Sequence, residues 1–470
     1  MSRWSSRGSS PTRADADGEP RATVSAQAGP RIHGDGLRVS GTLPPMYDRT
    51  VLPDGPRVIS ARVPGARSLA LAAYVLAGSR LESPEIAGVA HFMEHLTFKG
   101  TAAYPTTRAV SEAIEEVGGS CNAATDREST VYWARVPLRH ADRAFRVIGD
   151  LVARPLLDPR EIEQEKDVIV EEIRSYVDDP SEYAGILFDR AMFGEGPLGR
   201  EIAGDESTVR GLTPDAIRGF WHGCYGPARM VVAASGDLPH DEIAARVAEA
   251  FGTGGPAIPT PEPAPVLPAG DRVIVAARDT TQAQVCLGVP ALRRDHPDQW
   301  VLEVLNGVLG EGMSSRLFLT VREERGLAYD VHSYLVDYAD AGALIVSAGV
   351  DPGKIRGTVV AVLAELARLR DTPVPHAELR KVKAYLSGHL ELRLEETRHI
   401  ASWLGGQEAL HERIHTLEEA TAEIEAVDAD AIRRVAGELF LDDGLRLSVV
   451  APPRAGRGLE AALVLPGAVA

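Results

Sequence analysis

The sequence is poor in cysteine, lysine and aromatic residues, and it contains no long apolar run. Its three cysteines, Cys121, Cys224 and Cys286, form no C-x-x-C pair, which argues against a disulfide framework and favours a reducing compartment. No apolar stretch approaches the ~20 residues that a membrane helix needs. Acidic residues outnumber basic ones and give a formal net charge of −17, which disfavours nucleic acid and anionic membranes as partners. The Arg-, Ala-, Gly- and Pro-rich composition is typical of a GC-rich genome. Together with the reducing compartment that the cysteines favour, it leads us to expect a bacterial cytoplasmic protein.

Composition divides the chain into segments. With 470 residues the chain is too long for one hydrophobic core, so at least two domains are expected. Residues 1–36 lack a hydrophobic stretch and are typical of a disordered tail rather than a secretory signal. A Pro/Gly-rich linker is predicted at 252–270, between a first domain at 37–251 and a second at 271–455. Residues 456–470 are expected to form a C-terminal tail.

The two halves repeat the same order of predicted elements. Each opens with a pair of strands, followed by an amphipathic helix, a second helix that ends in Gly, further strands and later a long helix. The strand pairs are predicted at residues 57–63 and 68–76, and at residues 272–276 and 283–289. This pattern predicts an α+β fold of two homologous domains, each a mainly antiparallel sheet with helices packed on one face.

The pattern His-Phe-Met-Glu-His at residues 91–95 carries the strongest chemical signal. Residues four apart on a helix lie on one face, so His91 and His95 can reach one metal ion. Glu94 lies beside them, where a carboxylate can take a proton from metal-bound water. The alternative is a chance pattern in a chain with 13 His and 67 acidic residues.

The residues around this motif predict a helix. Ser83 suits the N-cap and Pro84 the first helical position. One side of the helix carries an apolar stripe, formed by Ile86, Val89, Met93 and Leu96. The motif residues fall on the opposite side at roughly 100° per residue, so we expect them not to be buried with the stripe.

A second helix further along the chain is rich in acidic residues. Asp158 is its predicted N-cap and Pro159 its first residue. Zinc in hydrolases usually has three protein ligands and one open position, so a third ligand is needed. Glu165 and Glu172 are seven residues apart and share a face, so either can be a ligand while the other supports the site. The alternative is a solvated acidic helix.

Together these motifs resemble those of the pitrilysin-type metallopeptidases, a family that includes insulin-degrading enzyme and the mitochondrial processing peptidase. The resemblance runs from about residue 52 to residue 450 and includes Gly118–Ala123 and the Phe98–Thr101 segment after the inverted motif. It implies one zinc ion per chain, a general base and a supporting carboxylate. The implied zinc ligands are His91, His95 and Glu172, the base is Glu94 and the supporting carboxylate is Glu165.

The resemblance also implies substrate-binding residues. Arg322 and Tyr329, seven residues apart, would reach the zinc site and help hold the substrate and the oxyanion. Asn122 and Ala123 would lie on a strand edge to which an extended peptide adds as a further strand. The alternatives are a surface ion-pair partner for Arg322 and an ordinary turn for the segment that contains Asn122.

The second half lacks the inverted motif. In the repeat register, apolar residues stand in place of the motif residues, and His389 stands opposite Glu172. The apolar replacements are Leu305, Val308 and Leu309. The second domain is therefore expected to keep the fold without the zinc site, as the resemblance also implies.

We expect a zinc endopeptidase that cleaves peptides or unfolded segments inside a dimer chamber. The dimer is expected to be a homodimer, with a heterodimer with a related subunit as the alternative. A maturation protease for one precursor remains open within the enzyme class. Outside it, the alternative is a peptide-binding or assembly subunit, against which the intact motif residues argue.

Overall fold

The computed structural model describes residues 47–254, 261–264 and 270–467. The predicted tail at 1–36 and most of the predicted linker at 252–270 lie outside these residues.

The described strands form two sheets. The strands lie at Asp48–Val51 (β1), Arg57–Arg62 (β2), Ser68–Val75 (β3), Ser120–Thr125 (β4), Thr130–Pro137 (β5), Met230–Gly236 (β6), Val273–Ala277 (β7), Ala283–Pro290 (β8), Ala328–Asp337 (β9), Gly342–Val350 (β10) and Arg446–Ala451 (β11).

The α-helices fall in both halves of the chain. They lie at Val89–Thr97 (α1), Thr107–Glu115 (α2), Ala141–Ala153 (α3), Pro159–Asp178 (α4), Pro180–Phe193 (α5), Glu206–Gly211 (α6), Pro214–Cys224 (α7), His240–Phe251 (α8), Gln299–Gly310 (α9), Ile355–Asp371 (α10), His376–Arg393 (α11), Thr397–Leu410 (α12), Leu417–Ala426 (α13) and Ala429–Leu439 (α14). Among the described residues, no helix combines the length and the apolar character needed to span a bilayer.

The two sheets share one topology. The first has the order β1-β2-β6-β3-β5-β4 and the second the order β7-β11-β8-β10-β9, so the second repeats the last five positions of the first. Only the β2–β6 and β7–β11 pairs are parallel among the described strands. The predicted fold class, two homologous α+β domains with mainly antiparallel sheets, is therefore confirmed.

The predicted pairing of the first two strands in each half is wrong. β6 lies between β2 and β3, and β11 lies between β7 and β8. The inserted strand comes from the end of each half and pairs in parallel with the first strand. Parallel pairing needs a long crossover connection, so local sequence carries no signal for it.

Each sheet packs helices of its own half on one face. In the first half, α1, α3 and α8 cover this face, and the core includes Leu71, Phe92, Phe145 and Val232. In the second half, the core also contains Leu459, Leu463 and Leu465, which fall in the stretch expected as a C-terminal tail. We propose that the chain divides into its two domains at the Pro/Gly-rich linker.

The opposite face of each sheet is covered by a helix from the other half. α12 packs on the first sheet, where the Tyr74 hydroxyl donates to the Ser402 carbonyl at 3.1 Å. α5 packs on the second sheet, where the Ser448 hydroxyl donates to the Ala184 carbonyl at 2.6 Å. This exchange joins the two halves and was not predicted from the sequence.

Candidate metal centre

The helix that carries the inverted motif begins later than predicted. Ser83 and Pro84 start a short 3₁₀ turn at Pro84–Ile86, whereas α1 begins at Val89 with Gly88 as its N-cap. Gly88 has φ of +96°, which favours glycine, and a Cβ there would lie 2.5 Å from the Ala203 carbonyl oxygen. The predicted N-cap is therefore wrong, because the chain turns at Gly88 before the helix starts.

The second helix begins as predicted. The Asp158 side chain accepts a hydrogen bond from the Arg160 N–H, and Pro159 is the first residue of α4. This long helix packs against α1 and brings its acidic face to the motif.

Three side chains converge on one point between α1 and α4. Their potential ligand atoms, from His91, His95 and Glu172, all lie within 4.8 Å of one another. Nε2 of His95 lies 3.3 Å from Glu172 Oε2, and Nε2 of His91 lies 3.7 Å from Glu172 Oε1. Ligand bonds of about 2.0–2.2 Å in a tetrahedron place ligand atoms about 3.3 Å apart, so this donor set fits zinc.

His91 is more buried than predicted. The residue is only 9% exposed, and its Nε2 lies 3.7 Å from Glu172 of α4. The sequence predicted that the motif residues are not buried with the apolar stripe, but it did not predict this burial of His91 beside α4. Burial, together with the neighbouring His95, lowers the pKa of His91 to about 4. A neutral imidazole is the form that a metal ion binds.

Glu165 supports the cluster from outside. Its Oε1 lies 2.8 Å from Nδ1 of His95, and its other oxygen pairs with Lys99. Burial disfavours the charged form of His95, but hydrogen bonds to Glu165 and Glu172 outweigh this and raise its pKa to about 9. The contact is to Nδ1, whereas Nε2 of the same ring faces Glu172. A carboxylate that contacts the ring nitrogen not used for metal binding orients the imidazole in many metal sites.

Tyr176 is a member of the site that the sequence analysis missed. Its hydroxyl donates a hydrogen bond to Oε1 of Glu172, one helical turn earlier on α4. Burial raises the pKa of Glu172, but hydrogen bonds from His95 and Tyr176 and the nearby His91 lower it to about 2. The i, i+4 spacing on a helix was the signal that could have identified Tyr176.

Glu94 lies between this cluster and the edge of the first sheet, close enough to His95 and Glu172 to interact with their charges. Its Oε2 accepts a hydrogen bond of 2.5 Å from the hydroxyl of Thr125, the last residue of β4. Burial raises the pKa of Glu94, although the bond from Thr125 lowers it in part. Glu94 thus remains a separate carboxylate beside the cluster.

The edge strand next to Glu94 contains the two predicted substrate-binding residues. Asn122 and Ala123 lie on β4, which pairs only with β5 among the described strands. The Asn122 Oδ1 accepts a hydrogen bond of 2.9 Å from the Ala123 N–H. This segment is a strand, and the alternative of an ordinary turn is wrong.

Arg322 and Tyr329 contact each other in the second half. Arg322 lies on a π-helix at Phe318–Glu324, and its guanidinium lies 5.4 Å from the Tyr329 ring centroid. It also lies 4.7 Å from the ring centroid of Phe318 and 3.6 Å from the Glu323 carboxylate. Tyr329 is 74% exposed on the edge strand β9. None of the described contacts of this pair joins it to the cluster of its own chain.

The second half has apolar residues where the repeat register predicted them. Leu305, Val308 and Leu309 are buried on α9, which packs against α11 as α1 packs against α4. His389, on α11, stacks on Tyr385 with ring centroids 4.2 Å apart. The described part of the chain contains one group of three potential metal-binding side chains, namely His91, His95 and Glu172.

Both halves of the chain match models of known protein families. Residues 57–206 match the insulinase family, peptidase family M16, and residues 211–386 match the peptidase M16 inactive domain. An uncharacterized zinc protease of Streptomyces coelicolor is 37% identical, covering 86% of this chain and 89% of the relative. The uncharacterized zinc protease YmxG of Bacillus subtilis is 34% identical, covering 87% of this chain and 98% of the relative.

Two further matches bear on fold and assembly. A probable mitochondrial-processing peptidase subunit beta of Arabidopsis thaliana is 30% identical, covering 86% of this chain and 78% of the relative. A protease from Helicobacter pylori has a similar structure with a TM-score of 0.82 and 23% identity, covering 86% of this chain and 99% of that one. At that identity the structural match shows the fold alone. The family matches and the names of the relatives define a class of zinc-protease-like proteins. The chain belongs to peptidase family M16, the pitrilysin-type family.

Proposed function

We propose that this protein is a zinc-dependent endopeptidase that cleaves peptides or unfolded segments. One zinc ion per chain would be held by His91, His95 and Glu172. The observation that carries the proposal is the convergence of three ligand atoms within 4.8 Å, with a further carboxylate near His95 and Glu172. That carboxylate belongs to Glu94, which supports a role as general base.

The proposed reaction is hydrolysis of a peptide bond. Zinc, when bound, would polarise the scissile carbonyl and lower the pKa of a water molecule. Glu94 would accept the proton of the attacking water and pass it to the leaving amine. Glu165 and Tyr176 would hold His95 and Glu172 in place, because each contacts the side chain it supports.

The substrate would bind as an extra strand along β4. Small side chains at Ala123 and Ala124 leave room for a partner backbone, and backbone hydrogen bonds give affinity with little dependence on sequence. Because β4 ends at Thr125, a peptide on this edge would pass beside Glu94. The Asn122 side chain, which now bonds to the Ala123 N–H, would have to release it when the peptide binds.

We propose a two-fold dimer that encloses a chamber. Arg322 and Tyr329 of one protomer would serve the zinc site of the other, which agrees with their lack of contact with the cluster in their own chain. A chamber would admit peptides and unfolded segments and exclude folded proteins. A heterodimer with a related subunit is the alternative, favoured by the printed name of the Arabidopsis relative, a subunit of a processing peptidase.

A second candidate function is that of a peptide-binding or assembly subunit in a heteromeric peptidase. It is favoured by the match of residues 211–386 to the family's inactive domain. An active endopeptidase is favoured by the match of residues 57–206 to the peptidase family. It is also favoured by the intact motif residues His91, Glu94, His95 and Glu172. For location we propose the bacterial cytoplasm, since the sequence has only three cysteines and no C-x-x-C pair, which favours a reducing compartment.

The test is an assay of the purified chain alone. We expect about one zinc per chain, hydrolysis of an internally quenched peptide, loss of hydrolysis with a chelator and recovery with zinc. Zinc without hydrolysis would favour the assembly subunit, and hydrolysis only after a related subunit is added would favour the heterodimer. Hydrolysis that is insensitive to chelation would contradict the zinc mechanism.

A further inference from the structure

Glu82 is a buried carboxylate to which the proposed reaction assigns no role. The residue is 5% exposed, and it lies six residues before the helix N-cap Gly88. Burial raises the pKa of Glu82 to about 8, against the effect of hydrogen bonds from the backbone. A buried carboxylate is costly unless its oxygens are hydrogen-bonded, so its bonding partners indicate what it does.

Both oxygens of Glu82 bond to the start of α1. Oε2 accepts a hydrogen bond of 2.8 Å from the Gly88 N–H, and Oε1 accepts one of 2.7 Å from the Ala90 N–H. Gly88 has no side chain with which to cap the helix, and the first N–H groups of a helix have no partner within it. Glu82 therefore supplies the cap from a distance, because its two carboxyl oxygens accept from two of these otherwise unpartnered N–H groups.

The segment that carries Glu82 is itself fixed. The Arg200 guanidinium donates a hydrogen bond of 2.7 Å to the Glu82 carbonyl oxygen. Two residues earlier, buried Arg80 pairs with Glu128 at 2.7 Å and with Asp340 of the second half at 2.6 Å. Glu82 thus links the start of α1 to an ion-pair network between the halves.

The position of α1 depends on this cap because the helix is short. It has nine residues, and a helix of that length is marginal on its own. Ala90 immediately precedes His91, and His95 follows four residues later. A shift at the first turn would therefore move both histidines relative to Glu172 on α4.

We infer that Glu82 is a positioning residue of the metal centre, which holds the N-terminus of α1 so that His91 and His95 meet Glu172. The inference rests on the proposed function, because it assigns Glu82 a part in zinc binding. Glu82 acts through the backbone of α1 and does not touch the metal or the substrate.

The first test uses the wild-type protein without metal. Amides in the first turn of a helix normally exchange quickly, because they have no intrahelical partner. We expect the amides of Gly88 and Ala90 to be protected from hydrogen exchange by at least about tenfold, since each donates a hydrogen bond to a buried oxygen of Glu82. Exchange at the rate of an exposed loop would overturn the inference without any variant.

The second test compares Glu82→Gln with Glu85→Gln. Glu85 is exposed on the neighbouring 3₁₀ turn and accepts no hydrogen bond from α1, so its variant is the matched control. Glu82→Gln should weaken zinc affinity, measured by competition with a chelator, about ten- to a hundredfold. It should also speed exchange across residues 88–97 of the metal-free chain, whereas Glu85→Gln should do neither.

The catalytic readout separates positioning from substrate binding. With zinc in excess, kcat of Glu82→Gln should fall by about tenfold or more while KM changes less than about twofold, and Glu82→Asp should recover part of the loss. If Glu82→Gln and Glu85→Gln bind zinc equally well and the wild type is active, the inference about Glu82 is overturned and the proposed function is not affected. A wild type without zinc or hydrolysis would instead contradict the proposed function, and amide protection would still decide whether Glu82 caps α1.

Discussion

The hydroxyl of Thr125 donates a hydrogen bond of 2.5 Å to Oε2 of Glu94. Thr125 is the last residue of the edge strand β4, and Glu94 lies on α1, so this bond joins the proposed substrate strand to the proposed base. The hydroxyl of Thr130 lies 3.5 Å from that of Thr125 and also donates to the Ala77 carbonyl at 2.9 Å. The orientation of Glu94 is thereby tied to the sheet edge.

Removal of the Thr125 hydroxyl should misorient the base. Thr125→Val keeps the shape and removes a donor to a charged group, a bond that contributes about 1.5–3 kcal/mol. We expect kcat to fall about tenfold or more, with zinc content unchanged. Ser120→Ala, at an exposed position of the same strand, is the control and should retain kcat. Equal kcat in the two variants would show that the bond does not matter for turnover.

Glu172 and its neighbour Glu171 provide a direct test of the third ligand. Glu172→Gln should lower zinc occupancy measured by elemental analysis, because the neutral amide is a poorer ligand than a carboxylate. Glu171 instead pairs with Arg174 on the exposed side of α4, so Glu171→Gln should keep full occupancy. Loss of zinc in the Glu171 variant and not in the Glu172 variant would reverse the assignment.

Two inactive variants should complement each other if the dimer shares its sites. In a mixed dimer of Glu94→Gln and Arg322→Ala, one site carries both substitutions and the other has Glu94 and Arg322 intact. We expect hydrolysis to reappear after subunit exchange, at about half of the wild-type rate per mixed dimer and about a quarter overall after random equimolar exchange. Arg325→Ala, at an exposed position near Arg322, should be active by itself. No recovery despite verified exchange would reject the shared site.

Two adjacent glycines on α12 test the packing of this helix on the first sheet. A Cβ at Gly405 would lie 2.5 Å from the Tyr74 ring and 2.7 Å from the Ala233 Cβ, whereas a Cβ at Gly406 would meet no atom nearer than 3.8 Å. Gly405→Ala should lower the free energy of unfolding by about 1–3 kcal/mol. Gly406→Ala should leave it unchanged or raise it by up to about 1 kcal/mol. Similar thermal or denaturant unfolding of both variants would contradict this packing.

The sequence predicts features that depend on local signals. The start of α4 follows from Asp158 and Pro159, which act within one helical turn. The grouping of His91, His95 and Glu172 follows from helical spacing together with the family resemblance. The topology of five matching strands in each half agrees with the repeat that the order of predicted strands and helices indicated.

The features that the sequence did not predict depend on distant contacts. α1 does not start at Ser83, because Gly88 turns the chain and Glu82 supplies the cap from six residues away. The parallel partners of β2 and β7 come from the end of each half. The exchange of α5 and α12 between the halves likewise depends on contacts between residues far apart in the sequence, such as Tyr74 with Ser402 and Ser448 with Ala184.

The turnover of zinc-loaded Glu94→Gln is the most direct test of zinc-dependent hydrolysis with Glu94 as the general base. The substitution keeps the size of the side chain and removes the proton acceptor, so zinc content and peptide affinity should match the wild type. We expect kcat to fall by a factor of about 10² to 10⁴, whereas Glu112→Gln, at an exposed carboxylate on α2, should keep the wild-type rate. Near wild-type turnover of Glu94→Gln with one zinc per chain would show that Glu94 is not the base.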